Sequence, residues 1–211
     1  MRMQIASIHT GFRRAIARGA AAAALLGGVA FASGCTSQQM DGTSPSYLIM
    51  DELLAARCAE PDEFDGTLAS DVLGAEGSIC ADIGQVTLRT ALKDPGSRNT
   101  PNEPSTTNWI TVTRYRVQFI RADGRNVPGV DVPYAFDGGV TVTADPAGST
   151  QTFTLVRVQS KLEAPLKALG NGLGDISTIA EVTFYGSDQA GREVSVVGRI
   201  SVNFANWADP D

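Results

Sequence analysis

Histidine is almost missing from this chain. The one copy among 211 residues, His9, stands close to the amino terminus. Its absence from the rest removes Ser–His–Asp and Cys–His catalysis, the usual zinc ligand sets and the commonest general base. Cysteine is scarce: only Cys35, Cys58 and Cys80 occur. No apolar run reaches the roughly 20 residues that a membrane span needs. No nucleophile elbow or phosphate loop appears. "GNGLGD" (170–175) is glycine-rich but lacks the βαβ surroundings of a nucleotide site, so it reads as a turn. No block of 20 to 50 residues repeats. Basic residues are in deficit, 17 against 23 acidic, for a net charge of −6. That balance lacks the basic footprint of a nucleic-acid binder. Nothing calls for a cofactor.

What is present begins with an ordered leader. Residues 1–18 carry Arg2, Arg13, Arg14 and Arg18 and no acid, and a small or apolar run of 16 residues follows, Gly19–Gly34. A charged segment, a short apolar segment and small residues before a cut make a secretory signal. The arginine pair in "FRRAIAR" faintly resembles a twin-arginine export signal, but ordinary positive charge explains it. The run ends in "ASGC", which resembles the lipobox of bacterial lipoproteins. Ala32 stands where Leu is commoner, and Ser33 and Gly34 fit well. The resemblance implies that Cys35 receives a diacylglyceryl group, that the signal is cut before it, and that the new amino terminus is acylated. The competing reading is an ordinary signal cut nearby, leaving a free thiol. Thr36 replaces the Asp that tends to hold such proteins in the inner membrane, so the resemblance points to the outer membrane. Two or three chains give durable anchoring where one binds only reversibly. Loss of residues 1–34 takes the formal charge from −6 to −10.

The expected organisation is a signal peptide over 1–34, a lipid-anchored linker over 35–46, a folded body over 47–207 and a tail over 208–211. "TSQQMDGTSPS" has no hydrophobic period and is rich in turn formers, as a flexible tether is.

The body reads as strands. In "EVSVVGRISVNF", Val194, Val196, Gly198, Ile200, Val202 and Phe204 alternate with mostly polar residues, predicting a strand with one buried face. "ISTIAEVTFY" places Ala180, Val182 and Phe184 on one face, and "GSDQAG" is short enough to close a hairpin between them. "NWITVTRYRVQFIRADGR" points Tyr115, Val117 and Phe119 one way and Arg114, Arg116 and Gln118 the other. Further strands are expected over 47–54, 79–82, 85–92, 140–144 and 152–158. "YLIMDELLAA" also holds good helix formers, but Pro45 and the tether enter it directly, which favours a strand. "LEAPLKALG" is expected as a turn or short helix, with Pro165 in a first helical turn. About eight strands with Gly- and Pro-rich links predict an all-β, two-sheet sandwich.

"YLIMDELLAA", "TNWITVTRYRVQFIRADGRNVPGVDVPYAFDGGVTVT", "LEAPLKAL" and "STIAEVTFYGSDQAGREVSVVGRISVNF" together resemble uncharacterised bacterial lipoproteins with an immunoglobulin-like body. The resemblance implies a fold and a location. It carries no activity and no functional residues.

Cys58 and Cys80 have two readings. An exported chain can bridge them, closing about 20 residues for roughly 3 kcal/mol; otherwise they are two buried thiols too far apart to join. Glu60, Asp62, Glu63 and Asp65 form an acidic loop. Such oxygen donors suit Ca²⁺, but Pro61 breaks the EF-hand spacing, and a solvated loop is the plainer reading. Paired carboxylates could serve a glycoside hydrolase only across a cleft, which nothing in the sequence places. Arg114 and Arg116, with Arg121, Arg125 and Arg157 near them, offer a surface for an anionic glycan, a headgroup or an acidic partner. Cross-strand pairing with Glu181, Glu193 or other acids is the alternative. Trp109 and Trp207 are candidate anchors for a sugar or a partner, or simply packing residues. The expected role is structural or binding, on the cell envelope. Its contacts are the membrane, through the lipid, and an envelope protein or glycan, through loops 94–108 and 126–139. Docking as an accessory subunit by a sheet edge is a second reading, and a carboxylate-dependent hydrolase a third.

Overall fold

Inward residues of two sheets meet in one shared core. A computed structural model of the chain describes residues 43–172 and 174–207. The signal segment, Cys35, the first part of the tether and the tail lie outside the described residues.

The first sheet orders β1 (Ser46–Ala56), β3 (Asp82–Leu92) and β8 (Ser149–Val156), all antiparallel. The second orders β2 (Thr67–Asp71), β10 (Glu193–Ala205), β9 (Asp175–Asp188), β6 (Ile110–Ile120) and β7 (Phe136–Ala144). It is antiparallel except where β2 runs parallel to β10. A two-residue ribbon joins β4 (Gly96–Ser97) to β5 (Thr100–Pro101). Two short helices, α1 (Val158–Leu162) and α2 (Leu166–Leu169), lie between β8 and β9. The all-β class is therefore as expected, with eight strands of five or more residues among the described residues.

Period-two alternation builds these strands. In β9, Ile176, Thr178, Ala180, Val182 and Phe184 are buried, and their neighbours face out. In β6 the alternation slips once: Ile110 and Val112 are buried, then Tyr115, Val117 and Phe119. A bulge at Thr113 absorbs the extra residue, shifting register against both β7 and β9. An inserted residue is how a strand changes phase while keeping its apolar face inward.

Phe153 of the first sheet lies 5.0 Å from the Tyr115 ring and 5.2 Å from the Phe184 ring of the second, in edge-on geometry. One glycine allows the close approach: a side chain at Gly198 would meet Met50 and Leu53 of the opposite sheet. Within the first sheet, Gly84 leaves room for the Phe153 ring of the neighbouring strand, which a side chain there would strike.

Several boundaries differ from expectation. Residues 79–81 are not a strand; β3 begins at Asp82 and runs unbroken to Leu92. β2 was not expected, since "TLASD" is too short and polar to announce itself; pairing with β10 makes it a strand. Pro165 immediately precedes α2. The end of the expected tether is folded: Ser44 and Ser46 are buried, and the Pro45 carbonyl accepts the Lys93 N–H.

Strand directions define two ends. The near end carries Thr43–Ser46, loop 93–109, turn 145–148 and turn 189–192. The far end carries loops 57–66, 72–81 and 121–135, both helices, and the residues after β10.

Candidate functional site

The far end holds a cleft of about 390 Å³. β1 stops at Ala56, and the chain turns into the acidic loop. Cys58 there is bridged to Cys80, with Cα atoms 6.0 Å apart and a sequence separation of 22. The bridge ties the loop after β1 to the residue pair before β3. Asp82, the first residue of β3, turns its carboxylate inward, where it is 1% exposed. Its Oδ1 accepts the Cys58 N–H at 3.1 Å, and its Oδ2 accepts the Ser70 hydroxyl at 2.6 Å. Lys161 of α1 brings its ammonium to 2.9 Å from the same Oδ2. A buried charge is tolerable only when paired and hydrogen-bonded, and Asp82 is both.

Above this floor stand the Trp207 indole, Ala75 and the disulfide, with Arg57 and Glu60 at the rim. An apolar wall with a few polar groups is the usual composition of a small-ligand pocket. Its carboxylates already have partners. Glu60 pairs with Arg57, Asp71 accepts the N–H groups of Leu73 and Trp207, and Asp82 holds Lys161. Among the described residues no three metal-ligating side chains converge. Glu60, Asp62, Glu63 and Asp65 lie along an exposed loop and are not gathered around a point.

Arg114 and Arg116 are brought together on the outer face of the second sheet. Each donates to a different oxygen of Asp137, both at 2.8 Å, and the Arg114 guanidinium stacks 4.0 Å from the Tyr185 ring centre. Cross-strand pairing with an acid is therefore as expected, and the acid is Asp137; Glu181 is taken by Arg199. The other arginines are elsewhere. Arg121 and Arg125 both clasp Asp123, and Arg157 covers the Phe136 ring. The Arg121 guanidinium, followed by the Arg125 N–H, holds the Asp123 carboxyl far below the usual carboxylate range. Trp109 is half-buried at the start of β6, with its indole N–H buried and unpaired. Five residues of extended chain, about 17 Å at ~3.3 Å each, separate it from Arg114, so the two do not form one surface.

Comparison with known proteins leaves the site standing alone. No protein-family model, curated protein or solved structure matches the chain.

The sequence reading missed Asp82, Ser70 and Lys161 as a group. Each comes from a different element, and no spacing links them. It also missed Asp188, buried in the β9–β10 turn. Burial pushes that carboxyl upward. The Arg192 N–H, the Ser44 hydroxyl, the Ala190 N–H and the Arg192 charge together outweigh it and leave the group below its ordinary value. The two contact loops expected from sequence lie at opposite ends: 94–108 near the entry and 126–139 at the far end. In the latter, Val127, Val130 and Tyr134 are exposed.

Proposed function

We propose that the chain is a lipid-anchored protein of the cell envelope, held through Cys35, whose immunoglobulin-like body serves a structural or binding role. The observation that carries the reading is the run from "ASGC" to a β body whose described residues begin at Thr43, with seven residues, 36–42, between it and Cys35. A lipid anchor explains a cysteine followed at once by polar residues and a short tether. The strand order supports the immunoglobulin-like body. β1, β3 and β8 take the places of A, B and E. β6, β7, β9 and β10 take those of C, C′, F and G, and β2 adds to the last strand. No strand takes the place of D beside β8 among the described residues.

The body acts by recognition. Its far-end cleft combines an apolar wall with engaged carboxylates, which suits holding a ligand or a partner's side chain. The second reading, an accessory subunit of an envelope complex, is favoured by Val127, Val130, Tyr134 and Leu162, all half or more exposed at that end. Intact-mass measurement on the protein from native membranes tests the anchor. The expected species begins at Cys35 and carries acyl mass, and Cys35→Ser releases it into buffer. A mature form without lipid overturns the proposal. Cross-linking in native envelopes separates the two roles, since a stoichiometric protein partner identifies the accessory subunit.

A further inference from the structure

We infer that the near end of the body rests against lipid headgroups and that the far end, with its cleft and exposed apolar loop, is held out of reach of the bilayer. The inference builds on the anchored reading above and adds an orientation to it. Tether length decides the matter. Thr36–Gly42 is seven residues, because Ser44 and Ser46 are already packed in the body. Fully stretched, those residues span about 25 Å at ~3.6 Å each. β1 alone has 11 residues, or about 36 Å at ~3.3 Å each. For the far end to touch the membrane with the body inverted, the entry point would have to stand at least a strand length above it. The tether is too short for that.

The entry point is also fixed to the near end. The Pro45 carbonyl accepts the Lys93 N–H at 2.8 Å, and the Ser46 N–H donates to the Ser44 hydroxyl oxygen at 3.2 Å. The surface there has the chemistry of a headgroup contact. Tyr47 is 54% exposed, with the Lys93 ammonium 5.3 Å from its ring centre. Tyrosine is enriched at membrane–water boundaries, and a lysine stem can lie on apolar surface while its ammonium stays among polar groups. The exposed apolar side chains of the loops and of α1 lie opposite: Val127, Val130, Tyr134, Val158, Leu162 and Trp207 are all at the far end. They meet partners from the aqueous phase.

Fluorescence quenching on the full lipidated chain, in vesicles of phosphatidylethanolamine and phosphatidylglycerol, tests this. One probe goes on Gln189→Cys in the near-end turn and a second on Val130→Cys in the far loop, with quencher carried on lipid headgroups. The expected result is several-fold stronger quenching at position 189. Equal quenching, or stronger quenching at 130, with the chain still bound, overturns the orientation and leaves the anchor intact. A chain that does not bind vesicles, with Cys35→Ser making no difference, overturns the anchor and the orientation together.

Discussion

Lys161 Nζ lies 2.9 Å from Asp82 Oδ2, and the two side chains are 2% and 1% exposed. No other ion pair among the described residues is sealed on both sides; every other has at least one exposed or half-exposed partner. The pair ties α1 to the start of β3, directly beneath the disulfide. Exposed pairs contribute about 0 to 1 kcal/mol, whereas breaking a buried one leaves a charge with no compensation.

Lys161→Met should therefore cost about 3 to 5 kcal/mol. Asp82→Leu should cost a similar amount, since it strands the ammonium. The double variant, Lys161→Met with Asp82→Leu, should recover most of the loss, because two apolar side chains need no mutual compensation. Urea denaturation of the three variants closes the cycle, and a double variant as unstable as the sum of the singles would refute the account.

Removal of the Cys58–Cys80 bridge by paired alanines should lower stability by about 3 kcal/mol, as expected for a loop of roughly 20 residues. β2, with buried Leu68, lies inside this loop but is held by its pairing with β10, so the variant should still fold. A denaturant midpoint that is the same for the native protein with and without reductant would contradict this.

Asp188 supplies an acid dependence. Its folded pKa lies below the ordinary value, so the group contributes stability that is fully present above the unfolded pKa, near 4. That contribution is lost as pH falls through the lower folded value. Asp188→Asn should lower stability at neutral pH and flatten the acid limb of the stability curve. The measurement is the urea midpoint from pH 6 down to the acid transition, in both forms. A variant curve parallel to the native one down to the transition assigns the acid loss to other groups.

Gly198 faces the first sheet. A Cβ there would collide with Met50 Sδ and lie 2.9 Å from Leu53 Cδ2. Gly198→Val should destabilise by about 1 to 3 kcal/mol through overpacking, and Met50→Ala should return part of it by vacating the space. Thermal melts of the single and double variants report the coupling; purely additive losses would place the strain elsewhere.

Much of the fold was legible because alternation is a local signal. The period-two pattern marked β9 and β10 nearly to their ends, and the Tyr115–Phe119 face of β6. It failed where pairing alone makes the structure. "TLASD" is a strand because β10 lies beside it, and residues 79–81 are not one because no strand does. The bulge at Thr113 could not be foreseen either, since the sequence shows two apolar phases without showing which residue is extra.

The candidate site was less legible. Cys58 and Cys80 could be named from composition, and Arg114 and Arg116 from one strand face. Their partners could not: Asp137 sits beside the arginines only because β7 pairs with β6 in that register.

The sequence by itself determined which residues turn inward along each strand, and that the chain carries too few basic residues and too little histidine for several kinds of chemistry. These follow from side-chain type and near-neighbour spacing, which the covalent chain fixes. Only the tertiary structure decided that Asp82, Ser70 and Lys161 meet, that Ser44 and Ser46 belong to the body, and that entry and cleft lie at opposite ends. Those relationships join residues distant along the chain, and only packing two sheets over one core brings them into register.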